Sequence, residues 1–410
     1  MRLSIPASAF VASIVGFGGT LALIIAAARA VGATGLETAS MVTALCLAMS
    51  VETAYLSWKT KMPVISAWST PGAALIAAST GFSMAEAVGA FIVAAVLLVA
   101  TGLFKPLTRL VSRIPASVSS GMLAGIVVTF VSGAFKTVAV DPLLILPLLA
   151  AFFIIRLVNP ALSVLAVLVG GGVLAVALGR VGDLPAPELS TLTFVAPQFT
   201  TAALVGLAIP LYLVTMASQN LSGLAVLKAA GYEPPAGQLI AVTGFVSLLT
   251  APLGALTTNL AAISAAICTG PDVHPDPAQR WKTGPFYALF YLLFALFGAS
   301  LVAIFAVLPP SLIALVAGLG LMAPLANALT IALRDEAERI PAVTAFAATA
   351  SGLVFAGIGS AFWGLLAGLI VLGLDRLRRW NLHITLHCRV LNRGGVVGTS
   401  KTGRGVGCRE

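Results

Sequence analysis

Long apolar runs decide what this chain can fold into. The first, residues 7–31, is about 25 residues long and carries Arg29 as its only charge. A helix of that length crosses a hydrocarbon core of ~30 Å, and the run is too long for the core of a signal peptide. No cleavage-like stretch follows it, so we predict a retained first span. Because only 9% of the residues are charged, against roughly 25% in soluble chains, the sequence predicts an all-α integral membrane protein.

Charges, prolines and glycines divide the apolar sequence into fourteen segments, which we number 1 to 14 in chain order. Segments 3, 9 and 10 are short for helices that span the whole bilayer. The predicted bounds are 7–31, 38–58, 63–79, 84–104, 116–135, 142–158, 160–179, 201–227, 237–251, 255–270, 285–308, 310–333, 341–357 and 360–375.

Basic residues fall in alternate connections between these segments, and they define what we call the basic side. The basic-side residues are Arg2, Lys59, Lys61, Lys105, Arg109, Arg113, Arg156, Lys228, Arg280, Lys282, Arg334, Arg339, Arg376, Arg378 and Arg379. The opposite side has only Arg29, Lys136 and Arg180. An excess of Lys and Arg marks the cytoplasmic side, so we predict that both chain ends are cytoplasmic. These loops account for the net charge of +9, and we therefore predict no nucleic-acid partner.

An interrupted stretch in segment 3 has a counterpart in segment 10. Residues 69–78, STPGAALIAA, align with residues 257–266, TTNLAAISAA. Together with weaker matches nearby, the alignment indicates a repeat of about 190 residues, as internal repeats build many transporters. Each half has seven crossings, an odd number, so the second copy is inverted. We predict a membrane domain at 1–380 with repeats at about 5–180 and 200–376, and a basic, disordered cytoplasmic tail at 381–410.

The interruptions themselves indicate a binding site. Proline and glycine are unfavourable inside a helix, so we predict that segments 3 and 10 are extended peptide followed by a half-helix. Such backbone is tolerated in a membrane only where it is buried in protein or lines a polar cavity. The half-helix N-termini would present N–H groups and partial positive charge to an anion near the midplane. A proline kink without a ligand is the alternative.

Four stretches carry a resemblance to a known family. They are AWSTPGAAL at 67–75, MASQNLSGLAVLKAAGY at 216–232, TTNLAAISAAICTGPDVHPDPAQRW at 257–281 and GIGSAFWGLLAG at 357–368. From about Ile5 to Leu374 the sequence resembles the benzoate:proton symporter family. The resemblance implies uptake of benzoate or a similar aromatic carboxylate with a proton. It also implies the fold of nucleobase and sulfate transporters, with seven-plus-seven inverted repeats, core and gate domains, a site lined by segments 1, 3, 8 and 10, and possible homodimers.

Candidate substrate-binding residues are the polar, small or aromatic residues on these four segments. Hydroxyl, amide and backbone N–H groups can bind a carboxylate without a buried cation. Where nucleobase relatives carry an acid on segment 8, this chain carries amides, which suit an anionic ligand. Phe17 is a candidate for stacking on an aromatic ring. Helix-to-helix packing is the alternative role for these residues. The candidates are Phe17, Gly18, Thr20, Ser69, Thr70, Gly72, Ser218, Gln219, Asn220, Thr258 and Asn259.

Glu52 is the most unusual charge in the sequence. It lies seven residues before Lys59, roughly 10 Å inside the membrane edge at 1.5 Å per residue. Intramembrane carboxylates are costly and often functional, so Glu52 is a candidate for proton coupling. An ion pair with Lys59 or another basic-side cation is the interpretation that the sequence favours.

Proton symport is expected because an anion entering a cell works against about 2.3 kcal/mol per 100 mV. The alternatives are a nucleobase or inorganic-anion transporter of the same fold and, less consistent with broken repeats, a passive channel. No nucleophile–base pair, phosphate loop or metal cluster stands out, so we predict no enzyme activity, no cofactor and no metal site. Gly121, Gly125, Gly318 and Gly320 are predicted to smooth a sliding surface between core and gate.

Overall fold

The computed structural model describes residues 3–18, 20–104, 115–183, 185–355 and 358–393, without the side chains of residues 161 and 379–393. Within these ranges, eight helices are long and apolar enough to cross a membrane. Pro277–Leu296 and Gly298–Val307 pass the same test together and meet at a bend of 61°, so that as one broken span they would be a ninth. The remaining segments are shorter helices, two of them joined to strands.

The fourteen segments keep their predicted order. Segment 13 is shorter than predicted, because Gly352 has a left-handed φ of 68°, and a glycine in that conformation ends helices. The helices are Ser4–Gly18 with Leu21–Ala30, Gly35–Thr60, Thr70–Ala77, Met84–Leu103, Ala116–Val140, Pro142–Val158, Pro160–Ala177, Thr201–Ala229, Ala236–Thr250, Ile263–Thr269, Thr283–Leu296 with Gly298–Val307, Pro310–Gly320 with Met322–Ala332, Arg339–Ala350 and Ser360–Arg393.

Capping residues place the starts of segments 2 and 4. Thr34 accepts a hydrogen bond from the backbone of Glu37, whose side chain in turn accepts from the Thr34 backbone. Ser83 and Glu86 repeat this arrangement at segment 4. A Ser or Thr followed three residues later by Glu satisfies two otherwise unpaired N–H groups. Both helices therefore begin at a position that the sequence encodes locally.

The broken segments 3 and 10 meet each other. Strand β1 (Ser66–Trp68) precedes the segment-3 half-helix, and strand β2 (Thr258–Leu260) precedes the segment-10 half-helix. The strands pair antiparallel, with Ala67 opposite Asn259. Extended backbone inside a membrane must satisfy its polar groups within the protein, and this ladder supplies part of that bonding. The prediction that both segments are discontinuous is confirmed.

The helices form two bundles. Segments 1–4 and 8–11 pack mainly on one another and form the core bundle, and segments 5–7 and 12–14 form the gate bundle. Segment 14 continues as helix to Arg393, into the predicted tail, and residues 394–410 lie outside the described part of the chain.

Three of the four predicted glycines allow close packing of helices inside the gate bundle. A methyl group on Gly121 or Gly125 would collide with backbone carbonyls of segment 13, and one on Gly318 would collide with segment 5. Small residues permit this close packing of membrane helices. Gly121 and Gly318 thus pack inside the gate bundle, contrary to the prediction, whereas Gly125 and Gly320 also line cavities at the core–gate boundary.

Candidate substrate site

A cavity of ≈ 310 Å³ lies where the broken segments meet segment 12 of the gate bundle. This is at the lower end of the ~300–1,000 Å³ usual for small-molecule sites. Trp68 and Tyr291 supply its aromatic surface, and none of its lining residues is charged. Besides the Tyr291 hydroxyl, its polar lining consists of Thr20, Thr70, Ser218, Gln219, Ser222, Ser264 and Asn327.

The cavity is displaced toward the basic side. Segment 8 runs from Thr201 to Ala229, next to the basic-side Lys228. Ser222, which lines the cavity, is seven residues before that end, or about 10 Å at 1.5 Å per residue. Asn327 is similarly near the basic end of segment 12. The cavity thus reaches from the strand pair toward the basic side.

Four of the predicted residues line the cavity: Thr20, Thr70, Ser218 and Gln219. The last two lie on a π-helical stretch of segment 8, Thr215–Asn220. Such bulges alter the direction in which neighbouring side chains point and are frequent at functional sites. Thr70 begins the segment-3 half-helix.

The indole of Trp68 is fixed by segment 1. Its Nε1–H donates to Thr20 Oγ1 at 2.5 Å, and that hydroxyl donates to Gly16 O at 2.6 Å. Phe17 packs behind the indole, with 5.5 Å between ring centroids, and is only 6% exposed. Phe17 therefore supports the wall of the cavity and is not among its lining residues, so its stacking on a ligand stays a prediction. Gly18 also lies elsewhere, facing segment 7.

Ser69 and Gly72 face the interior of the core bundle. Ser69 Oγ accepts from Gly72 N–H at 3.2 Å and is hydrogen-bonded to Thr215 Oγ1 at 3.0 Å. A methyl group on Gly72 would lie 2.5 Å from Leu211. Ser69 therefore caps the half-helix and attaches it to segment 8, and neither residue lines the cavity in this conformation.

Asn220, Thr258 and Asn259 hold the strands in place. Asn220 Oδ1 accepts from Leu260 N–H at 3.0 Å. With its amide oriented to satisfy both partners, Asn259 accepts from Ser69 N–H at 3.1 Å. All three predicted residues are fully buried. Their polar groups bond to the strand backbone and to neighbouring side chains, and none of the three lines the cavity in this conformation.

Replacing Asn220 with alanine should destabilise the protein without altering the cavity lining. The change leaves the buried Leu260 N–H unpaired, at a cost of about 1–3 kcal/mol. Ser218→Ala is the matched control, because among the described residues the Ser218 hydroxyl donates only to Val214 O on its own helix. We expect a lower apparent melting temperature in detergent for Asn220→Ala and a small change for the control. Equal melting temperatures would contradict this role of Asn220.

Glu52 does not form the expected ion pair with Lys59. It is fully buried, and Thr258 Oγ1 donates to its Oε1 at 2.5 Å. None of the ion pairs among the described residues includes it. The favoured interpretation was wrong because the partner of Glu52 is 206 positions away in sequence, on the strand of segment 10.

Four further lining residues with polar groups were not predicted from the sequence. Ser222 lies one turn after Ser218 on segment 8, so helical spacing could have found it. Ser264 lies one residue into the segment-10 half-helix. Tyr291 and Asn327 come from segments 11 and 12, which neither the residue pattern nor the resemblance placed at the site.

Solved structures show a similar fold. The transmembrane domain of a cyanobacterial bicarbonate transporter, BicA, aligns with a TM-score of 0.57 and 16% identity over 92% of this chain and 97% of that one. SLC26A9 aligns with a TM-score of 0.62 and 11% identity over 91% of this chain and 65% of its own length. At these identities the likeness shows the fold alone, an all-α membrane transporter fold.

Sequence comparison gives closer similarities. A family profile, BenE, described as benzoate membrane transport protein, matches residues 2–374. The inner membrane protein YdcO of Escherichia coli K12 is 42% identical over 361 residues, 88% of this chain and 92% of that protein. The benzoate membrane transport protein of Acinetobacter baylyi is 34% identical over 370 residues, 90% of this chain and 94% of that protein. The similarity thus covers nearly the whole membrane portion.

Proposed function

Because this chain belongs to the benzoate membrane transport protein family, which consists of transporters and not enzymes, we propose that it imports an aromatic carboxylate with a proton. Benzoate is the substrate that the family suggests. We further propose that import proceeds by alternating access of one site. A nucleobase or an inorganic anion is the alternative cargo for this fold.

The chemistry of the cavity is the observation that carries this proposal. Two aromatic side chains, Trp68 and Tyr291, offer surface to an aromatic ring. Hydroxyl and amide groups on segments 3, 8 and 12 offer hydrogen bonds to a carboxylate. Since the lining contains no charged side chain, it neither repels an anion nor holds it too tightly for release.

The position of the cavity supports alternating access. Its walls come from both bundles, so relative movement of the bundles would open or close it. A second cavity, of ≈ 340 Å³, lies between the bundles at the opposite end, beside Ser79, Gly206 and Ser360. We propose that the basic side is cytoplasmic. The structure then represents a conformation whose site faces the cytoplasm, and the second cavity marks where an outward opening forms.

A co-transported proton removes the free-energy cost of moving an anion against the membrane potential. A monovalent anion moving inward costs about 2.3 kcal/mol per 100 mV of inside-negative potential. One proton per carboxylate makes the cycle electroneutral and lets the pH gradient drive accumulation. The proposal therefore predicts uptake that follows the proton gradient and is insensitive to potential.

Uptake into proteoliposomes tests the function directly. We expect labelled benzoate to accumulate when the outside is more acidic than the inside, and to equilibrate without accumulating when the gradient is collapsed by a protonophore. Unlabelled benzoate analogues should compete, whereas uracil, sulfate and bicarbonate should not. Competition by one of the latter, with no benzoate uptake by well-folded protein, would keep the fold and replace the substrate.

A further inference from the structure

The carboxyl group of Glu52 is buried, and only one of its two oxygens accepts a hydrogen bond from the described residues. Its Oε1 accepts the hydroxyl of Thr258 at 2.5 Å, whereas its Oε2 accepts no hydrogen bond from any residue that the structure describes. The Ser66 side chain lies near the same carboxyl, but its hydroxyl is bonded to Thr53 Oγ1 at 2.7 Å and to Met49 O at 3.1 Å. The Oε2 atom can therefore bind a proton without giving up an existing hydrogen bond.

No cation compensates Glu52 within the described part of the chain. Segment 9 and both strands bring no titratable side chain to segment 2, and segment 11 brings Tyr287 and Tyr291. An ionised carboxylate without a cation is costly to bury. Burial without a cation thus favours the neutral carboxyl for as long as water does not reach Glu52. The other titratable groups on segment 2 and on the elements packed against it are Arg29, Glu37, Cys46, Tyr55, Lys59, Arg280 and Lys282, and none of them forms an ion pair with Glu52.

The strand pair links Glu52 to the substrate cavity. Thr258, the hydrogen-bond donor to Glu52, stands directly opposite Trp68 in the ladder, and Trp68 lines the cavity. Directly opposite residues of an antiparallel pair are about 4.5–5.5 Å apart. A change in the protonation of Glu52 alters its hydrogen bond with Thr258, and Thr258 is paired directly with Trp68 in the cavity wall.

Hydroxyl groups extend from the cavity toward Glu52. Tyr287 Oη donates to Ser66 O on β1 at 3.3 Å. A methyl group on Gly16 would lie 3.0 Å from Tyr291 Oη, 3.1 Å from Ser264 Oγ and 3.5 Å from Tyr287 Oη, so these three hydroxyls surround one point. Tyr291 and Ser264 line the cavity. These hydroxyls lead from the cavity to the β1 backbone at Ser66, and one bridging water would complete a polar path to Glu52.

We propose that Glu52 is the proton-binding site of this transporter, coupled to the substrate cavity through the β1–β2 pair and the Tyr287–Tyr291 hydroxyls. The inference rests on the proposed proton-coupled function. When the site faces the basic side and water reaches Glu52, the carboxyl O–H bond breaks and the proton passes to that water. Each further water or hydroxyl on the way to the cavity takes one proton and releases one. The carboxylate that remains accepts the Thr258 hydroxyl until the next proton binds.

The test separates proton coupling from substrate movement. Glu52→Gln keeps the size of the side chain and an oxygen for Thr258 but cannot release a proton. We expect this variant to lose gradient-driven accumulation of labelled benzoate in proteoliposomes. Benzoate–benzoate counterflow at equal pH should remain within about twofold of the wild-type rate. Glu37→Gln, at the start of the same helix, is the matched control, because Gln also serves in a capping box.

Each possible result of these transport assays either supports or contradicts the role of Glu52. Accumulation by Glu52→Gln would overturn the proposal, and so would a folded variant that loses counterflow as well, since that indicates a positioning role. If Glu52→Gln does not fold, Tyr287→Phe decides, with slower proton-driven uptake and normal counterflow expected, and unchanged proton-driven uptake contradicting the route. If the wild type moves no benzoate, the proposed substrate is wrong, and the same variants are assayed with the anion that it does transport.

Discussion

Replacing Gln219 with glutamate should reduce the affinity for benzoate on the order of a hundredfold. Gln219 lines an uncharged cavity, and the substitution places a carboxylate beside the carboxylate of the substrate. At a separation of about 5 Å and an effective dielectric constant of about 20, two like charges repel by about 3 kcal/mol. The affinity is measured on detergent-solubilised protein, with unlabelled benzoate competing against labelled benzoate for binding.

Gln219→Met separates charge from shape in this experiment. Methionine has a similar length and no charge, so it removes only a hydrogen bond, for which about 1 kcal/mol is typical. We expect the methionine variant to lose roughly tenfold or less. Equal losses in both variants would mean that repulsion does not operate at this position, and that the substrate carboxylate lies elsewhere in the cavity.

Replacing Gly223 with alanine should displace strand β2 and abolish transport. Gly223 on segment 8 packs directly against the strand, and an added methyl group would lie 2.5 Å from Leu260 Cβ and 3.0 Å from Ala261 O. Overpacking of this kind typically costs about 1–3 kcal/mol. The strand can move only by breaking its pairing with β1, so both the apparent melting temperature and benzoate uptake should fall.

Gly133→Ala is the matched control for this substitution. Gly133 lies inside the helix Ala116–Val140, with no atom within 4 Å of an added methyl group. Alanine is better than glycine in a helix by roughly 0.5–1 kcal/mol, so this variant should be as stable as wild type or slightly more so. Normal uptake by Gly223→Ala would show that the strand tolerates the displacement.

Much of the fold was predictable because it depends on the conformational preferences of residues that are close together in sequence. Pro71 and Gly72 interrupt an apolar run, and the structure has a strand and a half-helix there. The repeat at residues 257–266 extended this prediction to segment 10. Segment 13 was predicted too long, since its apolar sequence continues past Gly352, where the backbone turns.

The site was harder to predict because neighbouring residues on a helix point in different directions. Ser218, Gln219 and Asn220 are consecutive polar residues, yet only the first two line the cavity. Successive helical side chains are about 100° apart, and the π-helical turn adds a further rotation. Tertiary packing decides which of them meets the cavity. Glu52 is a similar case, since its partner Thr258 is distant in sequence.

The pairing of β1 with β2 has a consequence for biogenesis. Each half of the chain contributes one strand, so neither half can complete the ladder, and about 190 residues separate the partners. At synthesis rates of about 5–20 residues per second, the interval between the synthesis of β1 and that of β2 is roughly 10–40 s. During that time its N–H and C=O groups cannot face lipid. We therefore expect the first half to complete its packing only after the second half is made, and a chain truncated before residue 258 to lack the ladder partners of β1.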